Sequence, residues 1–287
     1  MPNIEEKLRD PAYLDLHLAA VAALAKVGKP LWYDSNFLRR YTAAKFYMAE
    51  VRPDMLDTFV AGFDALRPPP EFEVLSIENL LDDAAHARIR EITRSISEEQ
   101  IERHERSEFG RDVVHDHPAF AELQEQVRSR VEGLVGQSLE AGYNFLSLYG
   151  SQGKCDLHMD EPLSMYTLDY CIEQNVDWPI GFSNVVDWPD VEAMRDWTSE
   201  TVFANPEIRF EERSLGERRA LFFAGSSQWH YRRPIAQDGF CHLLFLHYYP
   251  AGCDKLVRPH LWAAHFEIPE LAAFCDLMTV DERTRVD

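Results

Sequence analysis

From Tyr143 onward the chain falls into short apolar runs: YNFLSLY, KCDLHMD, MYTLDYCI, ALFFAG, QWHYRRPI and FCHLLFLHYY. Each is rich in aromatic or β-branched residues, and Gly, Pro, Asp and Asn separate them. No other feature narrows the possible folds as much. Several short strands at such spacing predict an all-β barrel or sandwich. The first third has a different texture. AYLDLHLAAVAALAKV, SNFLRRYTAAKFYMAEV and MLDTFVAGFDALR carry their apolar residues at helical spacing, with Gly28 and Pro53 closing the first two. Pro68-Pro69-Pro70 then stops helix formation. The expected organisation is a helical extension over 1–70 and a second domain over 71–287.

Between these regions EFEVLSI alternates as a short strand, and Asn79 to Arg94 reads as a helix. SISEEQIERHERSEFGRDVVHDHP is so polar that it reads as a surface loop or a short exposed helix. Its His115 and His117 form an H-x-H pair, but Asp116 and Pro118 read as the N-cap and first turn of a helix over Phe120 to Val135. VDWP occurs twice, at Val176 and Val186, which is too little for a repeat. IPELAAFCDLM reads as a closing helix.

Charge bounds the partners. The formal net charge is -20, from 49 acidic and 29 basic residues, a field that repels nucleic acid and an anionic membrane surface. It favours a neutral or cationic small molecule, amino acid or peptide as substrate. No apolar stretch is long enough to span a bilayer, and the opening NIEEKLRD is too charged for a signal peptide. The five cysteines are odd in number and form no C-x-x-C, which predicts reduced thiols and a cytoplasmic setting.

The stretch YGSQGKCDLHMDEP carries the chemistry. Residues i and i+2 of a strand share a face, so His158 and Asp160 are expected to point the same way, with Asp156 one step behind. Such a pair can grip a metal or simply face water, and a third ligand is needed to decide. His230 follows the apolar strand ALFFAG and precedes Pro234, the position of a strand starting at a barrel mouth. His242 and His247 lie in the last strand at opposite parity, so only one of them can face inward. Two imidazoles and one carboxylate that leave one side of the metal open make the facial triad of non-haem Fe(II) oxygenases.

The order of these residues resembles the Fe(II)/2-oxoglutarate-dependent oxygenases, on the prolyl-hydroxylase-like branch. Tyr149 and the Gly153 turn precede His158 and Asp160; Thr167 and Tyr170 follow in the next strand; Gly216, ALFFAG, His230 and Pro234 complete the pattern. The resemblance implies an α+β protein with a double-stranded β-helix (jelly-roll, cupin-like) barrel core. It implies Fe(II) held by His158, Asp160 and His230. It also implies 2-oxoglutarate and O2 as cosubstrates, and oxidation of an unactivated C–H with release of succinate and CO2. The presence of Asp160 favours hydroxylation, desaturation or cyclisation over halogenation. Tyr149 and Thr167 stand where the family places hydrogen bonds to the cosubstrate.

One position departs from the family. The arginine or lysine expected near the start of the last strand, to pair with the distal carboxylate of 2-oxoglutarate, is replaced by Phe240, Cys241 and His242. Arg232 shares strand parity with His230 and is the first candidate in its place, followed by Arg233 and His242, with Arg219 and Lys154 behind them. Trp178, Trp188, Trp197 and Trp229 are either cleft residues or core, and Glu161 lies near the expected barrel mouth. Two other readings stay open: a non-catalytic cupin-like barrel that binds a metal, a ligand or a partner, and a metal-dependent enzyme that uses no 2-oxoglutarate. The helical extension could cap the cleft or pair two subunits as a homodimer.

Overall fold

The computed structural model describes residues 4–28, 32–189 and 197–283. They form two compact units. The first is drawn from Met1–Arg67, Trp188–Trp197 and Gly252–Asp287, the second from Pro68–Asp187 and Thr198–Ala251.

The first unit is helical. Its main helices are Pro11–Val27, Asn36–Val51, Leu56–Gly62 and Ala272–Arg283. Pro11 opens the first of these behind Asp10, whose side chain accepts from the Ala12 N–H at 3.0 Å. Aromatic rings fill the core. The Phe63 ring lies 4.8 Å from Tyr41, 5.1 Å from Phe59 and 5.2 Å from Trp262, mostly edge to face.

The second unit is a mixed helix and antiparallel-sheet structure. Its strands in chain order are β1 (Leu75–Ile77), β2 (Arg111–His115), β3 (Leu139–Tyr149), β4 (Cys155–His158), β5 (Tyr166–Gln174), β6 (Ile180–Ser183), β7 (Phe210–Arg213), β8 (Ala220–Phe223), β9 (His230–Arg232) and β10 (Cys241–Pro250). Six form one sheet in the order β1-β8-β5-β10-β3-β2, and four form another in the order β4-β9-β6-β7. Phe145, Cys171, Phe182, Phe223, Leu243 and Phe245, drawn from both sheets, meet in one buried cluster. Helix Pro118–Val135 covers β3, burying Phe120, Leu123, Val127 and Val131 along one stripe and ending at Gly136 in the left-handed conformation.

Several local expectations change. His117, not Asp116, caps helix Pro118–Val135, because its Nδ1 accepts from the Ala119 N–H at 3.3 Å, while Asp116 has a positive φ of 48°. The helix expected from Asn79 begins only at Asp83, since Asn79 has φ 55° and Asp82 provides the cap by accepting from Ala85 N–H. The polar run read as a loop contains β2, in which the buried Val113 and Val114 lie between charged neighbours. β6 and β7 are strands that the sequence reading did not contain.

Candidate metal centre

β4 and β9 pair antiparallel so that His158 stands opposite His230 and Cys155 opposite Arg232. β4 ends at His158, so Asp160 lies past the strand rather than within it. Its backbone N–H donates to the Gly225 carbonyl at 2.9 Å, which holds it beside the two imidazoles. A Cβ at position 225 would collide with Asp160 Oδ2, so this approach needs glycine.

The three side chains present one ligand atom each, all within 4.8 Å of one another. Asp160 Oδ1 is 3.6 Å from His158 Nε2 and 3.5 Å from His230 Nε2. Both rings are oriented in the same manner. His158 Nδ1 donates to the Asp156 carbonyl at 2.8 Å, and His230 Nδ1 donates to the Gln228 carbonyl at 2.9 Å. Each backbone carbonyl thereby engages Nδ1 and leaves Nε2 turned toward the cluster, the atom free to bind a cation once it has lost its proton. The remaining carboxylate oxygen, Oδ2, accepts from the Thr167 hydroxyl at 3.2 Å. Burial alone would raise the Asp160 carboxyl, but the two imidazoles outweigh it and hold the group well below the usual carboxylate range. A buried carboxylate flanked by two Nε2 atoms suits a borderline divalent cation.

A second polar cluster occupies the same interior. Arg232 donates through one Nη to Asp169 Oδ2 at 2.8 Å and through the other to the Trp178 carbonyl at 2.5 Å, and it lies over the Trp178 ring. Burial pushes Asp169 up to about 6 despite the attraction of Arg232, and its Oδ1 has no hydrogen-bond partner. Arg111, on β2, is also buried. It pairs with Glu105 through Nε and donates through Nη1 to the Tyr149 hydroxyl at 2.7 Å. Tyr149 therefore accepts from Arg111 and keeps its own proton for another acceptor.

Thr167 and Tyr149 both face this interior. Arg233 does not: its exposed guanidinium lies 3.4 Å from Glu212. His242 lies on the face of β10 opposite to Thr167, near Glu173 and Arg94. Lys154 and Arg219 are bound to Asp156 and Glu78 on the exposed surface. Trp178, Trp188 and Trp229 are buried, and Trp197 lies 5.5 Å from Trp32. Sequence reasoning missed Arg111 and Asp169 as partners in this interior and left His242 and His247 as alternatives, of which His247 faces Thr167. The alternation R-D-V-V-H of β2 was the available signal for Arg111, hidden by the charge around it. A cleft of about 540 Å³ runs between residues 70–74 and the strands β6 and β7, with Phe182 and Gln228 in its wall.

No protein-family model and no curated protein matches this sequence. Among solved structures, the non-haem α-ketoglutarate-dependent epimerase SnoN from nogalamycin biosynthesis is similar at TM-score 0.50 and 15% identity, over 69% of this chain and 82% of SnoN. HygX from Streptomyces hygroscopicus, with nickel and 2-oxoglutarate bound, matches at TM-score 0.48 and 13% identity, over 68% of this chain and 87% of HygX. A Pseudomonas putida prolyl-4-hydroxylase matches at TM-score 0.46 and 12% identity, over 68% of this chain and all of its own, 100%. The likeness to SnoN is one of fold.

Proposed function

We propose that the chain is an Fe(II)- and 2-oxoglutarate-dependent oxygenase that hydroxylates an unactivated C–H of a small molecule, amino acid or peptide. The two facing sheets are then the halves of a double-stranded β-helix, residues 68–251 carry the chemistry, and the helical unit is accessory. The observation that carries the reading is the convergence of His158 Nε2, His230 Nε2 and Asp160 Oδ1, with every other polar atom of those side chains already hydrogen-bonded. The fold shared with SnoN, an α-ketoglutarate-dependent enzyme, supports it.

The donor set fits the metal. Bound iron with 2-oxoglutarate and O2 would supply the oxidising chemistry, with succinate and CO2 released. The chain's own residues do the rest. His158, Asp160 and His230 hold the cation, and the carbonyls of Asp156 and Gln228 keep both imidazoles aimed at it. The Tyr149 hydroxyl, which accepts from Arg111 and keeps its own O–H, would donate a hydrogen bond to a carboxylate of the cosubstrate, with Arg111 and Arg232 nearby as cations. Phe182 and Phe223, whose rings lie 6.3 Å and 5.1 Å from His230, exclude water on that side. The cleft beside Phe182 and Gln228 offers room for a small substrate.

Both arginines already have carboxylate partners, Glu105 and Asp169, and this favours a second reading: a metal-dependent enzyme without 2-oxoglutarate. Anaerobic addition of Fe(II) and then 2-oxoglutarate separates the two. A weak visible charge-transfer band, followed by O2-dependent succinate formation, is the expected result. Fe(II) binding without that band turns the assignment to the second reading, and no Fe(II) binding removes both.

A further inference from the structure

We propose that His247 is a positioning residue which, through the hydroxyl of Thr167, decides which oxygen of Asp160 is presented to the cation. This rests on the metal-binding reading above. It concerns a residue whose side chain is hydrogen-bonded to Thr167 rather than to one of the three ligand side chains.

The inference comes from counting protons. An ionised carboxylate can only accept hydrogen bonds, and a threonine hydroxyl has one proton to give. Thr167 spends that proton on Asp160 Oδ2, at 3.2 Å. Its contact with His247 Nδ1, at 2.9 Å, must therefore run the other way, with the imidazole N–H donating to the hydroxyl oxygen. The chain His247 Nδ1–H to Thr167 O–H to Asp160 Oδ2 has one direction only. It ties down one carboxylate oxygen and leaves Oδ1 as the one facing both imidazoles. Without it, the carboxylate could rotate or offer both oxygens. In the neutral ring this contact selects the Nδ1–H tautomer.

The backbone is arranged around this ring. β10 and β3 pair regularly up to Leu246 opposite Asn144, then resume with Tyr248 opposite Ala141. His247 thus stands opposite a bulge made by Gly142 and Tyr143, and bulges re-aim side chains next to sites. Its carbonyl accepts the Gln124 side-chain N–H at 2.7 Å. A Cβ on Gly142 would come within 2.6 Å of the Leu163 carbonyl and 3.4 Å of the His247 Cβ, so the bulge is closed against a side chain. The Tyr143 ring, 4.3 Å away, covers the imidazole. On the other side of Asp160, Gly225 lets Oδ2 and Thr167 close up.

Co(II) is the probe, added to the full chain, with affinity read by chelator competition and coordination by the visible d–d bands. Thr167→Val and His247→Phe are expected to weaken Co(II) about tenfold to a hundredfold, the range of second-layer groups at metal sites, and to alter the bands. Thr167→Ser keeps the hydroxyl and should stay near the parent. His247→Asn should too, because its amide places an N–H where Nδ1 stands. Parent-like affinity and bands in Thr167→Val or His247→Phe overturn the proposal. So does His247→Asn behaving as His247→Phe, since ring packing would then be the cause. If His247→Phe does not fold, the Thr167→Val and Thr167→Ser pair decides alone. Failure of the parent itself to bind Co(II) removes the metal reading and this inference together, and that result is distinct from parent binding with indifferent variants.

Discussion

The helical unit and the sheet unit bury different kinds of side chain. Around Phe63 the partners are Phe37, Tyr41, Phe59 and Trp262, and each ring gains from burial wherever it finds contact. Between the two sheets, Arg111, His158, Asp169, His230, Arg232 and His247 are buried beside an apolar cluster, and each is stable there only with a partner at hydrogen-bond distance. An aromatic interior is specified by shape and tolerates rearrangement. A polar interior is specified by direction. The sheet unit also leaves Asp169 Oδ1 and His247 Nε2 buried without hydrogen-bond partners, a cost of roughly 1–3 kcal/mol each.

The contrast can be broken most forcefully at Asp160. Asp160→Ala should weaken Fe(II) or Co(II) binding by more than about 1,000-fold, about 4 kcal/mol, while the metal-free protein keeps its unfolding midpoint. Equal metal affinity in parent and variant, measured by competition, would put the ligands elsewhere. Phe63→Ala should do the opposite, costing about 3–5 kcal/mol in denaturant unfolding with Co(II) affinity of the folded protein unchanged. A loss of metal affinity in that variant would mean that the two interiors are not separable.

The third test concerns pH. Asp169 titrates at about 6 in the folded chain, above its ordinary 3.8, so the folded state binds the extra proton. Its contribution to stability is fully present below 3.8 and is lost as pH rises through 6, a span of roughly 3 kcal/mol. Asp169→Asn should remove that component. The parent-minus-variant stability difference should then shift in the parent's favour as pH falls from 7 to 4, and a flat difference would show the carboxyl to be unperturbed. The smallest effect is expected at Gly225→Ala, which crowds Asp160 Oδ2 and the Ser164 carbonyl and should weaken Co(II) about tenfold while costing about 1–3 kcal/mol of stability.

Much of the site was legible in the chain. The motif is local, so His158 with Asp160 two residues on, and His230 after an apolar strand, could be read directly, although the Gly225 carbonyl rather than strand pairing places Asp160. Other parts were not. β2 was concealed because Arg111, Asp112 and His115 surround its two valines, and a strand whose polar residues find buried partners looks like a loop when those partners are unknown. The reading of Arg232 as the first candidate for the cosubstrate's distal carboxylate lacked its partner Asp169, which lies 63 residues away and meets it only across the two sheets.

The sequence by itself determined that the first third is helical, that a series of short strands follows from Tyr143, and that one of those strands leads into a histidine and a carboxylate. These follow from periodicities that span a few residues. Only the tertiary structure decided that His247 rather than His242 faces Thr167 and Asp160. That choice rests on the register of β10 against β5 and on the bulge opposite Gly142, and register is fixed by pairing between strands distant in the chain, where a slip of one residue turns every side chain to the other face.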